Sequence, residues 1–185
     1  MIGVLALQGG FAAHKRMLRA LGADVREVRV PGDLDGLDGL VIPGGESTTM
    51  TLGIEREGLA EPLRELAASG TPILGTCAGL IMLDREHLRI MDIVAQRNAF
   101  GRQVRSFEVD LELDGLAGPP LRAVFIRAPW IAEHGDDVEI LASVDGHAVA
   151  AQQGALLAVA FHPELGHDTR LHERFLEMCG ARERA

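Results

Sequence analysis

The chain has 185 residues, 18 basic against 27 acidic side chains and a formal net charge of −9. That length fits one domain, residues 1–185, able to bury a full core. A content of 47% apolar and 24% charged residues excludes disordered, collagen-like and coiled-coil chains. The acidic balance argues against a nucleic-acid module, which needs a basic face for phosphates, and no apolar run approaches the ~18 residues of a membrane span. Met1-Ile2-Gly3-Val4-Leu5-Ala6-Leu7 lacks the basic start of an export signal, so the expected compartment is the cytoplasm, with Cys77 and Cys179 as reduced thiols.

Short apolar runs alternate with helical patterns in the first half. Ile2 to Leu7 reads as a buried strand ending at Gln8-Gly9-Gly10, and Phe11 to Leu21 as a helix stopped by Gly22. Val25, Val28 and Val30 mark a second strand before Pro31-Gly32, and Leu40-Val41-Ile42 a third before Pro43-Gly44-Gly45. A helix is expected from about Glu57 to Ala68, then a buried strand over Pro72 to Thr76. Strands alternating with helices imply right-handed crossovers and a parallel sheet covered on both faces.

The second half has a different pattern. Phe107 to Leu113 alternates apolar and acidic residues, as a strand with one wet face does. Further strands are expected at Ala123–Ile126, Glu139–Val144, His147–Gln152 and Leu156–Phe161, with Asp145-Gly146 and Gln153-Gly154 as hairpin turns. A last helix covers about Asp168 to Cys179. The expected fold is α/β, three-layered and flavodoxin-like, with a mixed, largely parallel central sheet and an antiparallel portion in the second half.

Three glycine-rich strand ends, Gln8-Gly9-Gly10, Pro43-Gly44-Gly45-Glu46-Ser47 and Gly75-Thr76-Cys77-Ala78-Gly79, can line one crevice, because open α/β sheets bind ligands beyond the carboxyl ends of their strands. Neither G-x-x-x-x-G-K-[ST] nor G-x-G-x-x-G is present, which weakens a nucleotide reading. Gly75-x-Cys77-x-Gly79 joins an apolar strand to the apolar helical run Leu80-Ile81-Met82-Leu83. This is a nucleophile elbow with Cys in place of Ser, and the following helix N-terminus favours a thiolate. The local pattern leaves open whether Cys77 is a nucleophile or a small buried core residue. Cys179 reads as inert packing.

A Cys nucleophile needs a base, and the base an orienter. Of the seven histidines, His14, His87, His134, His147, His167 and His172 are expected in solvated or capping settings. His162 instead ends the apolar strand and precedes Pro163-Glu164. Pro163 biases His162 towards extended geometry, in which residues 162 and 164 share a face, so Glu164 can fix the imidazole tautomer. Alone, this is a strand-end histidine beside a solvent carboxylate; with the Cys elbow it reads as a base and its orienter.

Gly75-Thr76-Cys77-Ala78-Gly79 together with His162-Pro163-Glu164 resembles the class I (triad) glutamine amidotransferases. Within that family, Leu5-Ala6-Leu7-Gln8-Gly9, Leu40 to Thr49, Arg97-Asn98-Ala99-Phe100-Gly101-Arg102-Gln103 and Phe125-Ile126-Arg127-Ala128-Pro129 resemble the glutaminase subunits of pyridoxal 5′-phosphate synthases. The resemblance implies hydrolysis of L-glutamine to glutamate and ammonia, with Cys77 as nucleophile, His162 as base and Glu164 as orienter. It implies that Gly45, Glu46, Ser47, Arg97, Ile126 and Arg127 hold the glutamine. An oxyanion hole would come from the N–H groups of Gly45 (or Gly44) and Ala78. Structural alternatives are that Ser47 caps a helix, Glu46 sits in its first turn and Arg97 forms a surface ion pair. No metal or organic cofactor is implied. The implied partner is a (β/α)₈ synthase subunit in a large hetero-oligomer that takes the ammonia. Feeding another acceptor, such as imidazole glycerol phosphate synthase, and a non-catalytic scaffold are the alternatives. Three departures from the family pattern stand out: a shortened segment between the Cys77 helix and Met91, Ala12-Ala13 before His14, and Gly166-His167 after the triad carboxylate.

Overall fold

In the computed structural model, which describes residues 1–98 and 106–182, the first half is a run of crossovers. Strand β1 (Ile2–Leu5) leads to helix α1 (Phe11–Ala20), β2 (Val25–Val28), a 3-10 turn at Pro31–Leu34 and β3 (Gly39–Ile42). Helices α2 (Ser47–Arg56) and α3 (Ala60–Ala68) follow, then β4 (Ile73–Thr76) and the short α4 (Ala78–Leu83). The second half adds β5 (Ile93–Gln96), β6 (Ser106–Leu111), β7 (Leu121–Ile126), β8 (Trp130–His134), β9 (Glu139–Val144), β10 (His147–Gln153), β11 (Leu156–Val159) and α5 (Arg170–Arg182). Ala99-Phe100-Gly101-Arg102-Gln103 of the expected motif lie outside the described residues. Among the described residues no helix is long and apolar enough to cross a membrane.

Nine of the described strands form one mixed sheet in the order β2-β1-β3-β4-β11-β10-β8-β5, with β9 added on β10. The pairs β1–β2, β1–β3, β3–β4 and β4–β11 are parallel, and the pairs made by β10 and by β8 are antiparallel. Every residue of β1, β3, β4 and β11 is buried, which explains their unbroken apolar sequences: strands covered on both faces have no wet side to alternate with. Strands β6 and β7 pair separately as an antiparallel hairpin, with Phe107 stacked on Phe125 at 4.6 Å.

Several expectations are corrected. The helix expected over Glu57–Ala68 is α3, which starts later, at Ala60, because the chain first turns at Gly58 with φ +67°. Helix α2 was not expected, and neither were β5 and β8. Val30 is not a strand residue but precedes the Pro31 turn, and β1 and β11 end at Leu5 and Val159. Both hairpin turns are where the sequence put them: Asp145 (φ 50°) and Gly146 (φ 80°) join β9 to β10, and Gly154 (φ 56°) joins β10 to β11. The shortened segment after α4 is a closed turn around the buried Asp84. Its carboxylate accepts the backbone N–H groups of Glu86, His87 and Ala95.

The arrangement that matters for the site is the pairing of β4 with β11. They are parallel neighbours in register, Thr76 opposite Val159, so their carboxyl ends emerge side by side. Cys77 follows the first and His162 the second. Residues 85 positions apart in the chain are thereby brought to one sheet edge.

Candidate active site

Cys77 occupies the sharp turn from β4 into α4 with φ 50° and ψ −108°, a conformation a non-glycine residue adopts only under constraint. Three contacts impose it. Its N–H donates to Val159 O at 2.8 Å. A Cβ on Gly75 would stand 2.7 Å from Gly79 O, and one on Gly79 only 1.9 Å from Ile42 O, so the turn closes this tightly because both flanking positions are glycine. The sulfur, in a residue only 6% exposed, lies 3.9 Å from Ile126 O.

His162 leaves β11 with its N–H donated to Val124 O of β7 at 2.8 Å. The chain then does not run on extended, as the proline suggested; Pro163–Leu165 form a 3-10 turn. That turn, rather than a shared strand face, swings Glu164 back so that Oε1 meets His162 Nδ1 at 2.8 Å. Gly44 closes the group from β3: a Cβ there would stand 2.6 Å from His162 Cε1 and 3.1 Å from Cys77 Cβ. Burial disfavours a charged His162, but the Cys77 sulfur and the Glu164 carboxylate outweigh it and raise its pKa to about 10. Burial likewise opposes ionisation of Glu164, yet hydrogen bonds from His14 and His162 hold its carboxyl well below the usual range.

A cavity of about 280 Å³ opens over this group, and Gly45, Glu46, Ser47, Cys77, Ala78, Arg97, Ile126, Arg127 and His162 all line it, with Glu164 behind the imidazole. Ile81, Asn98 and Pro129 complete the wall and were not singled out from sequence. Among the described residues, three of the five non-glycine positions with positive φ, namely Cys77, Asn98 and Arg127, face this one cavity, as is common where backbone strain is kept for function.

Glu46, not Ser47, is the N-cap of α2. Its Oε1 accepts Thr48 N–H at 3.0 Å, and its Oε2 accepts Thr49 N–H and Oγ1–H, each at 2.7 Å. The Thr49 contacts lower its pKa to about 2. Arg97 Nη2 stands 3.7 Å from Glu46 Oε1, with both side chains about half exposed, so the surface ion pair weighed from sequence is present at the cavity rim. The Gly44 carbonyl accepts Gly10 N–H at 2.9 Å, and Gly9 reaches it only because its φ is +85° and it lacks a Cβ. In a planar trans peptide this turns the Gly45 N–H to the opposite side from Gly10.

Two histidines expected in solvated or capping settings are instead wholly buried behind the Glu164 carboxylate. His14 Nδ1 lies 2.9 Å from His172 Nε2, and His14 Nε2 lies 3.2 Å from Glu164 Oε2. A signal existed: His14 falls on the core stripe of α1 between Phe11 and Leu18, and His172 sits between the buried Leu171 and Phe175.

Comparison with known proteins gives the family. The model of the SNO glutamine amidotransferase family matches residues 4–181. A pyridoxal 5′-phosphate synthase subunit PdxT of Parafrankia sp. (strain EAN1pec) is 52% identical over 186 residues, covering 96% of this chain and 92% of the relative. A subunit of the same name from Geobacillus kaustophilus (strain HTA426) is 52% identical over 184 residues, covering 96% of this chain and 93% of the relative. A crystal structure described as glutamine amidotransferase superposes with a TM-score of 0.91 at 44% identity, covering 97% of this chain and 98% of that one. PurLQS from Thermotoga maritima, at 17% identity and a TM-score of 0.76 over 95% of this chain and 96% of that one, shares the fold. With a strand-end cysteine, an imidazole and a carboxylate in one row under a cavity, and with matches spanning nearly the whole sequence, the chain belongs to the SNO glutamine amidotransferase family.

Proposed function

We propose that this chain is the glutaminase subunit of a pyridoxal 5′-phosphate synthase, working in the cytoplasm through a Cys77–His162–Glu164 triad. The observation that carries the reading is the convergence of those three side chains beneath the cavity. Ser47 and the backbone of Gly45 and Glu46 hold the glutamine. Arg97 and Arg127 at the rim suit its α-carboxylate, which a guanidinium fork binds at both oxygens. The Cys77 thiolate attacks the side-chain amide carbon, and the N–H groups of Gly45 and Ala78 receive the oxyanion. The C–N bond breaks as His162 delivers its Nε2 proton to the leaving nitrogen, giving ammonia and a γ-glutamyl thioester. His162, now neutral, takes a proton from water as the hydroxyl oxygen adds to the thioester; glutamate leaves and the thiolate is restored. Neither a metal nor an organic cofactor enters these steps.

The ammonia is consumed by a separate (β/α)₈ synthase subunit in a hetero-oligomer. Ammonium is useless as a nucleophile, and ammonia released to neutral water is mostly protonated, so a closed passage between subunits is needed. Relatives carrying the synthase-subunit name support this acceptor over the imidazole glycerol phosphate branch.

Glutamate formation should be slow for the chain alone and rise at least about tenfold, worth ~1.4 kcal/mol of barrier, when the synthase subunit is added. With amide-¹⁵N glutamine, the label should enter the synthase product in preference to bulk ammonium. Equal turnover with and without the synthase would refute the dependence. A Cys77 that takes no adduct from an electrophilic glutamine analogue, even in the complex, would refute the enzyme and favour a scaffold.

A further inference from the structure

The triad carboxylate does not end the row of polar side chains. Behind it stand His14 of α1 and His172 of α5, both fully buried and 158 residues apart in sequence. Glu164 gives Oε1 to His162 and turns Oε2 towards His14 Nε2, 3.2 Å away. The approach to Oε2 is off the hydrogen-bond line, and the same Nε2 also meets Thr76 Oγ1 of β4 at 3.2 Å. His14 Nδ1 then faces His172 Nε2 at 2.9 Å, and His172 Nδ1 is buried with no hydrogen-bond partner. Gly10 covers the far side of the carboxylate: a Cβ there would stand 3.0 Å from Glu164 Oε1. Among the described residues no group of three His, Cys, Asp or Glu is arranged to hold a metal ion.

These contacts admit one economical placement of protons. An ionised carboxylate only accepts, so His14 must carry a proton on Nε2; a bare nitrogen there would set two lone pairs against each other. Between His14 Nδ1 and His172 Nε2 there is room for one proton. Were it on His14, neutral His172 would carry its own proton on Nδ1, a buried N–H with no acceptor, which folded proteins rarely tolerate. Placed on His172 Nε2, it leaves His172 Nδ1 as a bare lone pair. The chain then runs one way: His172 Nε2–H to His14 Nδ1, His14 Nε2–H shared between Thr76 Oγ1 and Glu164 Oε2, and His162 Nδ1–H to Glu164 Oε1. The remaining nitrogen, His162 Nε2, is left for the cysteine.

We infer that His14 and His172 are positioning residues for glutamine hydrolysis: His172 locks His14 in the Nε2–H tautomer, and His14 in turn pins the second oxygen of Glu164, fixing the carboxylate that aims His162. The proposal rests on the glutaminase reading above. Burial, with His14 alongside, lowers the His172 pKa to about 3, in keeping with a neutral ring. Contact with His14 is the largest of the influences that keep Glu164 ionised against its burial, so removing it raises the carboxyl pKa. Among the described residues, His162 and His14 face Glu164, and His172 and Thr76 continue the row.

The test combines a spectrum of the wild type with kinetics of variants assayed together with the synthase subunit. In protein labelled with ¹⁵N-histidine, proton–nitrogen correlations should show His14 and His172 protonated at Nε2 and bare at Nδ1. His14→Leu should lower kcat about ten- to a hundredfold through misaimed chemistry and leave KM within about twofold. His14→Gln, whose amide can still donate towards Glu164, should recover most of the lost kcat. A proton found on Nδ1 of either ring in an active wild type would overturn the inference alone, and would do so even if His14→Leu failed to fold. So would a folded His14→Leu with wild-type kcat, or a folded His14→Gln as impaired as His14→Leu. A wild type that hydrolyses no glutamine in the complex would overturn the functional reading itself, and the positioning role with it, whatever the tautomers.

Discussion

Glutamine hydrolysis by a Cys77→Ala variant should fall by about 10⁴- to 10⁶-fold in kcat, the loss of ~5–8 kcal/mol of transition-state stabilisation, while glutamine still binds. Alanine keeps the Cβ that Gly44 packs against and the positive φ that the Gly75–Gly79 turn imposes, so the elbow is left intact and only the sulfur is gone. His162→Ala should match that loss, and the double variant should be scarcely worse than either single one. The reason is that nucleophile and base act as a unit: a thiol without the imidazole is seldom ionised, and an imidazole without the thiol has nothing to activate but water. The measurement is single-turnover glutamate release in the presence of the synthase subunit, with calorimetric binding of glutamine and thermal unfolding as controls. Losses of His162→Ala and Cys77→Ala that simply multiply in the double variant would mean the two side chains work independently, and the triad mechanism would not stand.

The parts of this site that were legible in the sequence share one property: their chemistry is written locally. Gly75-x-Cys77-x-Gly79 announces a turn too sharp for side chains, and His162-Pro163-Glu164 holds an imidazole and a carboxylate within three residues. Even there the pattern gave the right pairing for the wrong geometric reason, because the 3-10 turn rather than an extended strand brings Glu164 onto His162. The buried parallel strands were legible for the same local reason, since β1, β3 and β4 have no wet face to interrupt their apolar runs.

What escaped was decided by contacts from elsewhere. Helix α2 has Thr48, Thr49, Thr51 and Gly53 in its sequence, all poor helix formers, and it forms because Glu46 caps it and Met50 and Ile54 are buried. Strands β5 and β8 pair with each other, and β8 with β10, over short stretches with a bulge between β5 and β8, leaving no clean alternation to read. His14 and His172 were assigned to solvent because each, taken singly, is a polar residue in a helix. Their positions on the apolar stripes of α1 and α5 were the available sign, but only the packing of both helices behind β4 makes them neighbours.

The glycine at 79 separates local propensity from packing most sharply. In isolation, Gly79→Ala should favour α4, because alanine is the better helix residue by about 1 kcal/mol. Here the new Cβ would stand 1.9 Å from Ile42 O and 2.8 Å from Ile42 C. Those are backbone atoms of a buried central strand, with no rotamer to give way, and Ile42 pairs with Gly75 of β4. Relief requires α4 to lift from β3, and α4 begins at the residue after Cys77, so the same movement opens the elbow. The clash therefore outweighs propensity, and a net destabilisation of about 2–4 kcal/mol is expected, a drop in Tm of about 5–15 °C for a chain of this size. Glutaminase activity should be lost even below the lowered Tm, because the sulfur no longer faces His162. Gly180→Ala in α5 supplies the opposite sign: nothing lies within 4 Å of a Cβ there, so propensity acts alone and Tm should rise slightly. Thermal unfolding of the two variants beside the wild type decides the matter. A Gly79→Ala protein as stable and active as the wild type would show that α4 does not hold Cys77 in place by pressing against β3.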